Sequence, residues 1–245
     1  MMAGIVFGGK VYYGQVAGIL MMDSKIPRIP GDPGHAETFP FPVRYGVIRD
    51  FPFEDLVYIK KNNLDRVIDA ALELESEGVA FIAADCGLFS PFQADIANAL
   101  HIPFLGSALN LIPFIASFLP RDQKIGVITG DSQILRAEHL KFAGADAGRL
   151  EIHGMEDCAE FQKVVLERGE RLNIDHLRSG VLDAACGLLD SGGQLGAVVL
   201  ECTNLISFRP DIQQRLGLPV FDAVSLIEFF AEGYRLRTFK SRYMT

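Results

Sequence analysis

The chain lacks the surplus of positive charge that broad binding to nucleic acid or to an anionic membrane requires. Its 245 residues include 23 Lys and Arg against 31 Asp and Glu, a formal net charge of −8 at pH 7. Proteins that bind such polyanions present a basic face. The late basic residues Arg235, Arg237, Lys240 and Arg242 are expected to complement the negative end of a C-terminal helix instead. Neither nucleic acid nor a membrane is therefore expected as a partner.

Neither a secretory leader nor a membrane span is expected from the sequence. The first residues, MMAGIVFGGK, have no basic segment and are interrupted by glycines. Residues 96–120 contain no Lys, Arg, Asp or Glu, but Pro103, Gly106 and Pro113 favour a strand and a buried helix there. The four cysteines show no close spacing, which is typical of reduced thiols. We therefore expect a cytoplasmic protein.

Motifs for metal and cofactor chemistry are lacking as well. No Cys-x-x-Cys or His-x-x-x-His pair occurs, so no metal site is predicted. The segments FGGKVYYG and SGGQLG match neither phosphate-binding pattern, and no Gly-x-Ser-x-Gly elbow occurs. A Cys–His hydrolase stays open, although no histidine is singled out by its position. No cofactor is expected.

What the chain does contain is a segment that occurs twice. Cys86–Phe114 aligns with Cys202–Phe230 without a gap at an offset of 116, and seven of the 29 positions are identical. The identical pairs are Cys86/Cys202, Phe92/Phe208, Asp95/Asp211, Ile96/Ile212, Leu100/Leu216, Pro103/Pro219 and Phe114/Phe230. Duplicated halves usually pack about a pseudo-twofold axis. The repeat therefore predicts that the two thiols face each other across a cleft.

Apolar β-type runs alternate with helical patterns, which is typical of parallel α/β layers. The predicted strands are Gln15–Met22, Val43–Arg49, Val79–Asp85, Phe104–Gly106, Lys124–Thr129, Leu150–His153, Ala197–Glu201 and Val220–Asp222. The predicted helices are Asn62–Glu77, Pro91–Leu100, Ala108–Phe118, Gln133–Phe142, Glu156–Arg168, Asp175–Leu189, Pro210–Leu216 and Ala223–Thr238. Short Val/Ile/Ala-rich strands indicate sheets covered on both faces. The predicted fold class is α/β, with two pseudo-symmetric, doubly wound parallel-sheet halves and the active site between them.

The halves are expected at residues 16–120, which carry Cys86, and at residues 121–222, which carry Cys202. The C-terminal helix, 223–245, is expected to join the first half. Residues 1–15 form an extension that fits neither half, and an added hairpin or an interface segment are both open. Residues 26–42 form a Pro/Gly-rich loop, and loops of this length are often functional.

Cys86 and Cys202 each follow a predicted strand at the turn into a helix. Ligands bind outside the carboxyl ends of parallel strands, and helix N-termini there favour anions and are expected to lower a thiol pKa toward neutrality. Gly87 permits close backbone approach, while Thr203 and Asn204 offer a hydroxyl and an amide to a carboxylate. A free cysteine is commonly a small buried hydrophobe, but two at equivalent repeat positions favour a pair of acid/base groups.

The other two cysteines have a different pattern. Cys158 and Cys186 both fall within helical patterns, and Cys186 lies on an apolar face. Both are expected to pack in the core.

The paired cysteines, the second within LECTNL, resemble those of the aspartate/glutamate racemase superfamily from about Val16 onward. That group includes amino-acid and hydantoin racemases, maleate cis-trans isomerases and arylmalonate decarboxylases. The resemblance implies that Cys86 and Cys202 are catalytic, one as thiolate base and the other as thiol acid. It implies no cofactor and a small carboxylate or cyclic amide as substrate.

The resemblance also implies a set of substrate-binding positions. They are Asp23 and Ser24 after the first strand, Gly34 and Thr38 in the loop after it, Gly87, Thr129 at the end of the strand that opens the second half, Thr203 and Asn204. Two departures weaken the case for a free amino acid. Cys86-Gly87-Leu88 replaces the usual Cys-Asn-Thr, and Asn204 stands where glutamate racemases have histidine.

The leading prediction is a cofactor-independent racemase or epimerase that moves a proton between two cysteines at the carbon α to a carboxylate or cyclic amide. A maleate-type isomerase, in which one cysteine adds to the substrate, is one alternative. A ligand-binding member of the fold without turnover is the other. The substrate, its handedness and assembly as a homo-oligomer are left open.

Overall fold

The fold consists of two four-stranded parallel sheets with the same strand order. The computed structural model describes residues 4–5, 7–190 and 192–236. Its strands are β1 Ala17–Met22, β2 Val43–Ile48, β3 Phe81–Ala84, β4 Phe104–Leu105, β5 Lys124–Thr129, β6 Leu150–Gly154, β7 Leu195–Leu200 and β8 Val220–Phe221. The orders are β2-β1-β3-β4 and β6-β5-β7-β8, so each half repeats the other strand for strand. The duplication seen in the sequence is thus a duplication of topology.

Helices flank both sheets. They are α1 Phe53–Val57, α2 Leu64–Glu77, α3 Gln93–Ala99, α4 Leu111–Ala116, α5 Ala137–Phe142, α6 Ala159–Phe161, α7 Ile174–Asp190, α8 Arg209–Leu216 and α9 Ala223–Tyr234. The apolar spacing of α2 explains its packing, because Leu64, Val67, Ala71 and Leu74 fall on one face and are buried. Burying each of the Leu and Val side chains contributes about 1.5–3 kcal/mol. The predicted α/β class is confirmed.

All eight predicted strands are present, with ends that shift by at most two residues. The predicted helix from Gln133 begins only at Ala137, because residues 131–135 form a turn in which the Asp131 carboxylate accepts from the Gln133 N–H. The helix predicted over 156–168 is present only over residues 159–166, and α6 is followed there by a π-helical segment, Gln162–Leu166, in place of a continuous α-helix. The helix α1 was not predicted. The last helix was predicted to run to Thr238, but it ends at Tyr234, because the backbone is extended at Arg235; Thr238 itself lies outside the described residues.

The last helix, α9, packs on the first sheet. The rings of Phe230 and Phe81 lie 5.8 Å apart, and the Tyr234 hydroxyl donates to the Ala80 carbonyl at 3.1 Å. Arg235 lies 3.7 Å from Glu232, while the other three basic residues predicted to complement this helix fall outside the described residues. The predicted domain boundaries stay a prediction.

The described part of the N-terminal extension, residues 4–5 and 7–15, forms neither helix nor strand, so no hairpin is present there. Tyr12 stacks under the guanidinium of Arg44, with 4.1 Å between the ring centroid and Cζ. Among the helices that the structure describes, none combines the length and the apolar character needed to cross a bilayer.

Candidate active site

The two cysteines occupy the same local structure in each half. Cys86 follows β3 and Cys202 follows β7, and both have extended backbones. Each begins a 3₁₀ segment, Gly87–Phe92 in the first half and Thr203–Phe208 in the second, and an α-helix comes directly after it. The carboxyl end of a central strand therefore presents each thiol at the sheet edge where ligands bind in α/β folds.

Both cysteines line one cleft, which encloses a cavity of about 130 Å³. Eight of the ten residues that the sequence singles out line it: Asp23, Ser24, Cys86, Gly87, Thr129, Cys202, Thr203 and Asn204. Gly34 and Thr38 are not among its lining residues. The Thr38 hydroxyl donates to the Asp32 carbonyl at 2.6 Å, and the Gly34 N–H donates to the Asp32 carboxylate at 2.8 Å. These two residues thus shape the loop around Asp32, and their contact with substrate stays a prediction.

Two buried carboxyl groups next to the cysteines were missed by sequence reasoning. Asp85 precedes Cys86 and Glu201 precedes Cys202, and only 5% and 3% of their surfaces are exposed. The same offset of 116 relates Asp85 to Glu201, so each half contains an acidic residue directly before its cysteine. An alignment extended by one residue would have found them.

Glu201 joins the two halves. Its carboxylate accepts from the Thr129 hydroxyl at 2.8 Å. A Cβ at Gly87 would collide with the carboxylate and carbonyl oxygens of Glu201, so only glycine permits this approach. Glu201 of the second half therefore packs against the residue directly after Cys86 in the first half.

Asp85 lies in a second network with Arg28 and Asp32, from the Pro/Gly-rich loop. The Arg28 guanidinium bridges the Asp32 carboxylate at 2.7 Å and the Asp85 carboxylate at 2.9 Å. The Met22 N–H donates to the second Asp85 oxygen at 3.0 Å. The loop was predicted to be functional, but nothing in its sequence singled out Arg28 or Asp32.

The two residues after Cys202 reach into that network. The Thr203 hydroxyl donates to the Asp85 carbonyl. The Asn204 amide donates to the second Asp32 oxygen at 3.0 Å, while its carbonyl oxygen accepts from the Cys202 thiol at 3.7 Å. The residues expected to bind a substrate carboxylate thus already hold partners within the protein.

Burial raises the pKa of both carboxyl groups. The pKa of Asp85 rises to about 6, because burial outweighs the attraction of Arg28. The pKa of Glu201 rises to about 7, again through burial, against the opposing hydrogen bond from Thr129. Groups that titrate near neutrality inside a cleft are suited to proton transfer.

The thiol pKa values move in the direction opposite to the one expected from the sequence. Burial raises the pKa of Cys86 and of Cys202, and the charge of Glu201 raises both further. Backbone N–H groups of Leu88 and Asn204, at the start of the 3₁₀ segments, oppose this with a smaller effect. The expectation of a lowered thiol pKa was wrong, because desolvation and a neighbouring carboxylate outweigh the helix termini.

The remaining cysteines lie away from the cleft lining. Cys158 packs against the core cluster of the second half, as expected. Cys186 was expected in the core but is partly exposed, and its sulfur accepts from the Arg215 guanidinium at 3.0 Å. Within the described residues, no group of three or more His, Cys, Asp and Glu side chains is arranged to hold a metal ion.

The sequence matches the family model Asp/Glu/Hydantoin racemase over residues 56–227. Among curated proteins, a dimethylsulfoniopropionate lyase of Durusdinium sp. clade D is 28% identical over 225 residues, which are 89% of this chain and 74% of that protein. Dimethylsulfoniopropionate lyase 3 of Emiliania huxleyi is 28% identical over 85% of this chain, and the match spans only 57% of its length.

Solved structures show the same fold. Allantoin racemase of Klebsiella pneumoniae superposes with a TM-score of 0.61 at 16% identity, over 89% of this chain and 87% of that one. A glutamate racemase of Bacillus anthracis gives a TM-score of 0.56 at 16% identity, over 90% and 82% of the two chains. At these identities the likeness concerns the fold alone.

Proposed function

This chain belongs to the Asp/Glu/hydantoin racemase family, and we propose that it is a cofactor-independent enzyme that uses Cys86 and Cys202 to move the proton on a carbon α to a carboxylate. The observation that carries the proposal is the pair of cysteines at repeat-equivalent strand ends lining one cleft. One thiolate removes the proton from one face, and the other thiol returns a proton to the opposite face. The result is racemisation or epimerisation.

The charge of the cleft supports a substrate that carries a positive group beside its carboxylate. The lining includes the carboxyl groups of Asp23, Asp85, Asp131 and Glu201, against the guanidinium groups of Arg28 and Arg168. Arg28 is already paired with two carboxylates. A cationic substrate group would offset the excess of negative charge and lower the thiol pKa values, so binding itself would favour formation of the thiolate.

Recognition of the carboxylate is assigned to Arg168. Thr129 and Thr203 already donate their hydroxyl hydrogens to Glu201 and to the Asp85 carbonyl, which leaves those oxygens only as acceptors. Arg168 lines the cleft, is exposed, and has a left-handed backbone with φ of 60°. Its guanidinium is suited to a carboxylate in two-point contact.

A second candidate is β-elimination, which the relatives named dimethylsulfoniopropionate lyases favour. A sulfonium propionate has a cation and a carboxylate, and three aromatic rings line the cleft, those of Phe51, Phe53 and Phe161. Aromatic rings attract onium cations. The thiolate would take the α-proton, the electron pair would form the carbon–carbon double bond, and neutral dimethyl sulfide would leave, giving acrylate. One cysteine base is sufficient for that step.

The test is proton NMR of the reduced protein in D₂O. The substrates are both hands of aspartate and glutamate, hydantoins, 2-substituted acids, dimethylsulfoniopropionate and maleate. We expect loss of an α-proton signal with one of them, at a rate reduced by at least about 10²-fold in Cys86→Ser or Cys202→Ser. Cys158→Ser, outside the cleft, is the matched control and should retain activity.

Each outcome has a distinct meaning. Exchange accompanied by inversion supports the racemase, whereas acrylate and dimethyl sulfide support the lyase. Elimination that survives Cys202→Ser but not Cys86→Ser identifies a single base. Turnover at the wild-type rate in both cysteine variants would refute the proposal, and conversion of maleate to fumarate alone would replace it with the isomerase.

A further inference from the structure

The two cysteines have different neighbours along the chain, although the halves repeat. Asn204 lies two residues after Cys202, and the same position after Cys86 holds Leu88. The Cys202 thiol therefore faces an amide oxygen at 3.7 Å, while its counterpart has an apolar side chain at the equivalent position. This difference breaks the symmetry of the pair at the reacting atoms.

The orientation of Asn204 is set by Asp32. A carboxylate only accepts hydrogen bonds, so the side of the Asn204 amide that faces Asp32 at 3.0 Å must be its NH₂ group. The amide oxygen then points to Cys202. An acceptor at that position stabilises the S–H form of the thiol and offers nothing to a thiolate.

Asp32 is itself held firmly. Its other oxygen accepts from Arg28 at 2.7 Å and from the Gly34 N–H at 2.8 Å, and only 2% of its surface is exposed. Arg28 is anchored in turn by the Asp85 carboxylate at 2.9 Å. These contacts connect Asp85, which precedes Cys86 in the first half, to Asn204, which contacts the Cys202 thiol in the second half.

We propose that Arg28 and Asp32 are positioning residues that fix the Asn204 amide so that, in the resting enzyme, Cys202 keeps its proton and Cys86 is the thiol that ionises. This inference rests on the proposed function and assigns a starting protonation state to it; the roles of the two cysteines reverse when the reaction runs the other way. One proton moves from the substrate carbon to the Cys86 sulfur, and one moves from the Cys202 sulfur to the opposite face of that carbon. Cys86 is then the thiol and Cys202 the thiolate, and either the reverse reaction or proton exchange with solvent water restores the resting state. The predicted substrate-binding role of Asn204 becomes a positioning role.

The test measures alkylation of each cysteine by iodoacetamide between pH 6 and pH 10, with the modified peptides quantified by mass spectrometry on the full chain. It needs no substrate, so it remains decisive if no turnover is found. In the wild type we expect Cys202 to react about tenfold more slowly than Cys86 at a given pH, as a difference of one pKa unit would give. The charged groups facing Cys202 are Glu201, Asp32 and Asp85, and substitutions at Asn204 or Leu88 retain all three.

Two reciprocal variants exchange the local environments. Asn204→Leu gives Cys202 the neighbour that Cys86 has, and its alkylation profile should shift to lower pH. Leu88→Asn gives Cys86 an amide neighbour, and its profile should shift to higher pH. If Asn204→Leu fails to fold, as judged by circular dichroism, Leu88→Asn tests the same idea in the other half.

The contribution of Asp32 through Asn204 is separated from its charge by a double-mutant cycle. Asp32→Asn should shift the Cys202 profile to lower pH, because it frees the Asn204 amide and also removes a charge that raises the pKa of Cys202. In the Asn204→Leu background only the effect of the charge remains, so Asp32→Asn should shift the profile much less there. Equal shifts in the two backgrounds, or a Cys202 profile unchanged in Asn204→Leu, would overturn the positioning role. α-Proton exchange could persist in that case, and the proposed function would then stand without an assigned starting protonation state.

Discussion

At the scale of single residues, the candidate site depends on groups that are costly to bury. Glu201 and Asp85 are carboxyl groups almost without exposure, each held by a hydrogen bond or an ion pair from another segment. Buried polar groups at such positions are stable only when they are satisfied. Gly87 makes the arrangement possible, because it has no side chain to displace Glu201.

Gly87→Ala should therefore destabilise the protein and distort the cleft together. The added methyl group meets the backbone carbonyl oxygen of Glu201 as well as its buried carboxylate, and overpacking of this kind costs about 1–3 kcal/mol. Urea unfolding measures the loss in the free energy of unfolding. Gly8→Ala, where nothing lies within 4 Å of the new Cβ, is the control. Equal stability of the two variants would contradict the close packing.

At the scale of elements, the sequence patterns predicted the strands more accurately than the helical segments between them. The run Lys124–Thr129 was predicted with its ends correct, because its six residues are too few for a typical helix and four of them are β-branched, which favours a strand. The helix α1 has only five residues, too few to show a helical period. The π-helical segment was predicted as ordinary helix, since the spacing of its apolar residues does not distinguish the two.

The loop between β1 and β2 packs against the second half, where Gly31 contacts Ser207. Gly31 has φ of 106°, and a Cβ there would lie 2.7 Å from the Ser207 Cα. Gly31→Ala should combine backbone strain with a clash, lower the free energy of unfolding by about 2 kcal/mol or more, and speed proteolysis within the loop. Gly217→Ala has positive φ of 65° but no clash, so it measures strain alone. Equal effects would mean that the contact with Ser207 contributes nothing.

At the scale of the whole molecule, the duplication predicted much of the architecture but few of the side-chain contacts within the site. An offset of 116 was enough to place both cysteines at one cleft. The contact between Asp32 and Asn204 joins residues 172 positions apart, and the chain has 31 acidic residues that could in principle have filled such a role. Contacts of this kind depend on the conformation of a long loop. Local sequence patterns do not determine that conformation.

The junction of the halves should also control how the whole fold responds to pH. Asp85 and Glu201 have pKa values of about 6 and about 7, raised from ordinary values of 3.8 and 4.5. A raised pKa means that the folded state holds its proton more tightly than the unfolded state. The stabilisation from these groups is therefore complete below about pH 4 and is lost as pH rises to about 7, with a total of a few kcal/mol.

Glu201→Gln removes one of these titrations and should flatten the fall in the free energy of unfolding between pH 4.5 and pH 8, as measured by urea unfolding. The amide stays neutral throughout, so the variant should lose least stability, or gain some, at the upper end of the range. Glu73→Gln, an exposed residue of α2, is the matched control and should leave the slope unchanged. A slope in Glu201→Gln equal to that of the wild type would mean that Glu201 is already ionised in the folded protein across this range. Glu201 would then not be the carboxyl group that titrates near neutrality beside the two cysteines.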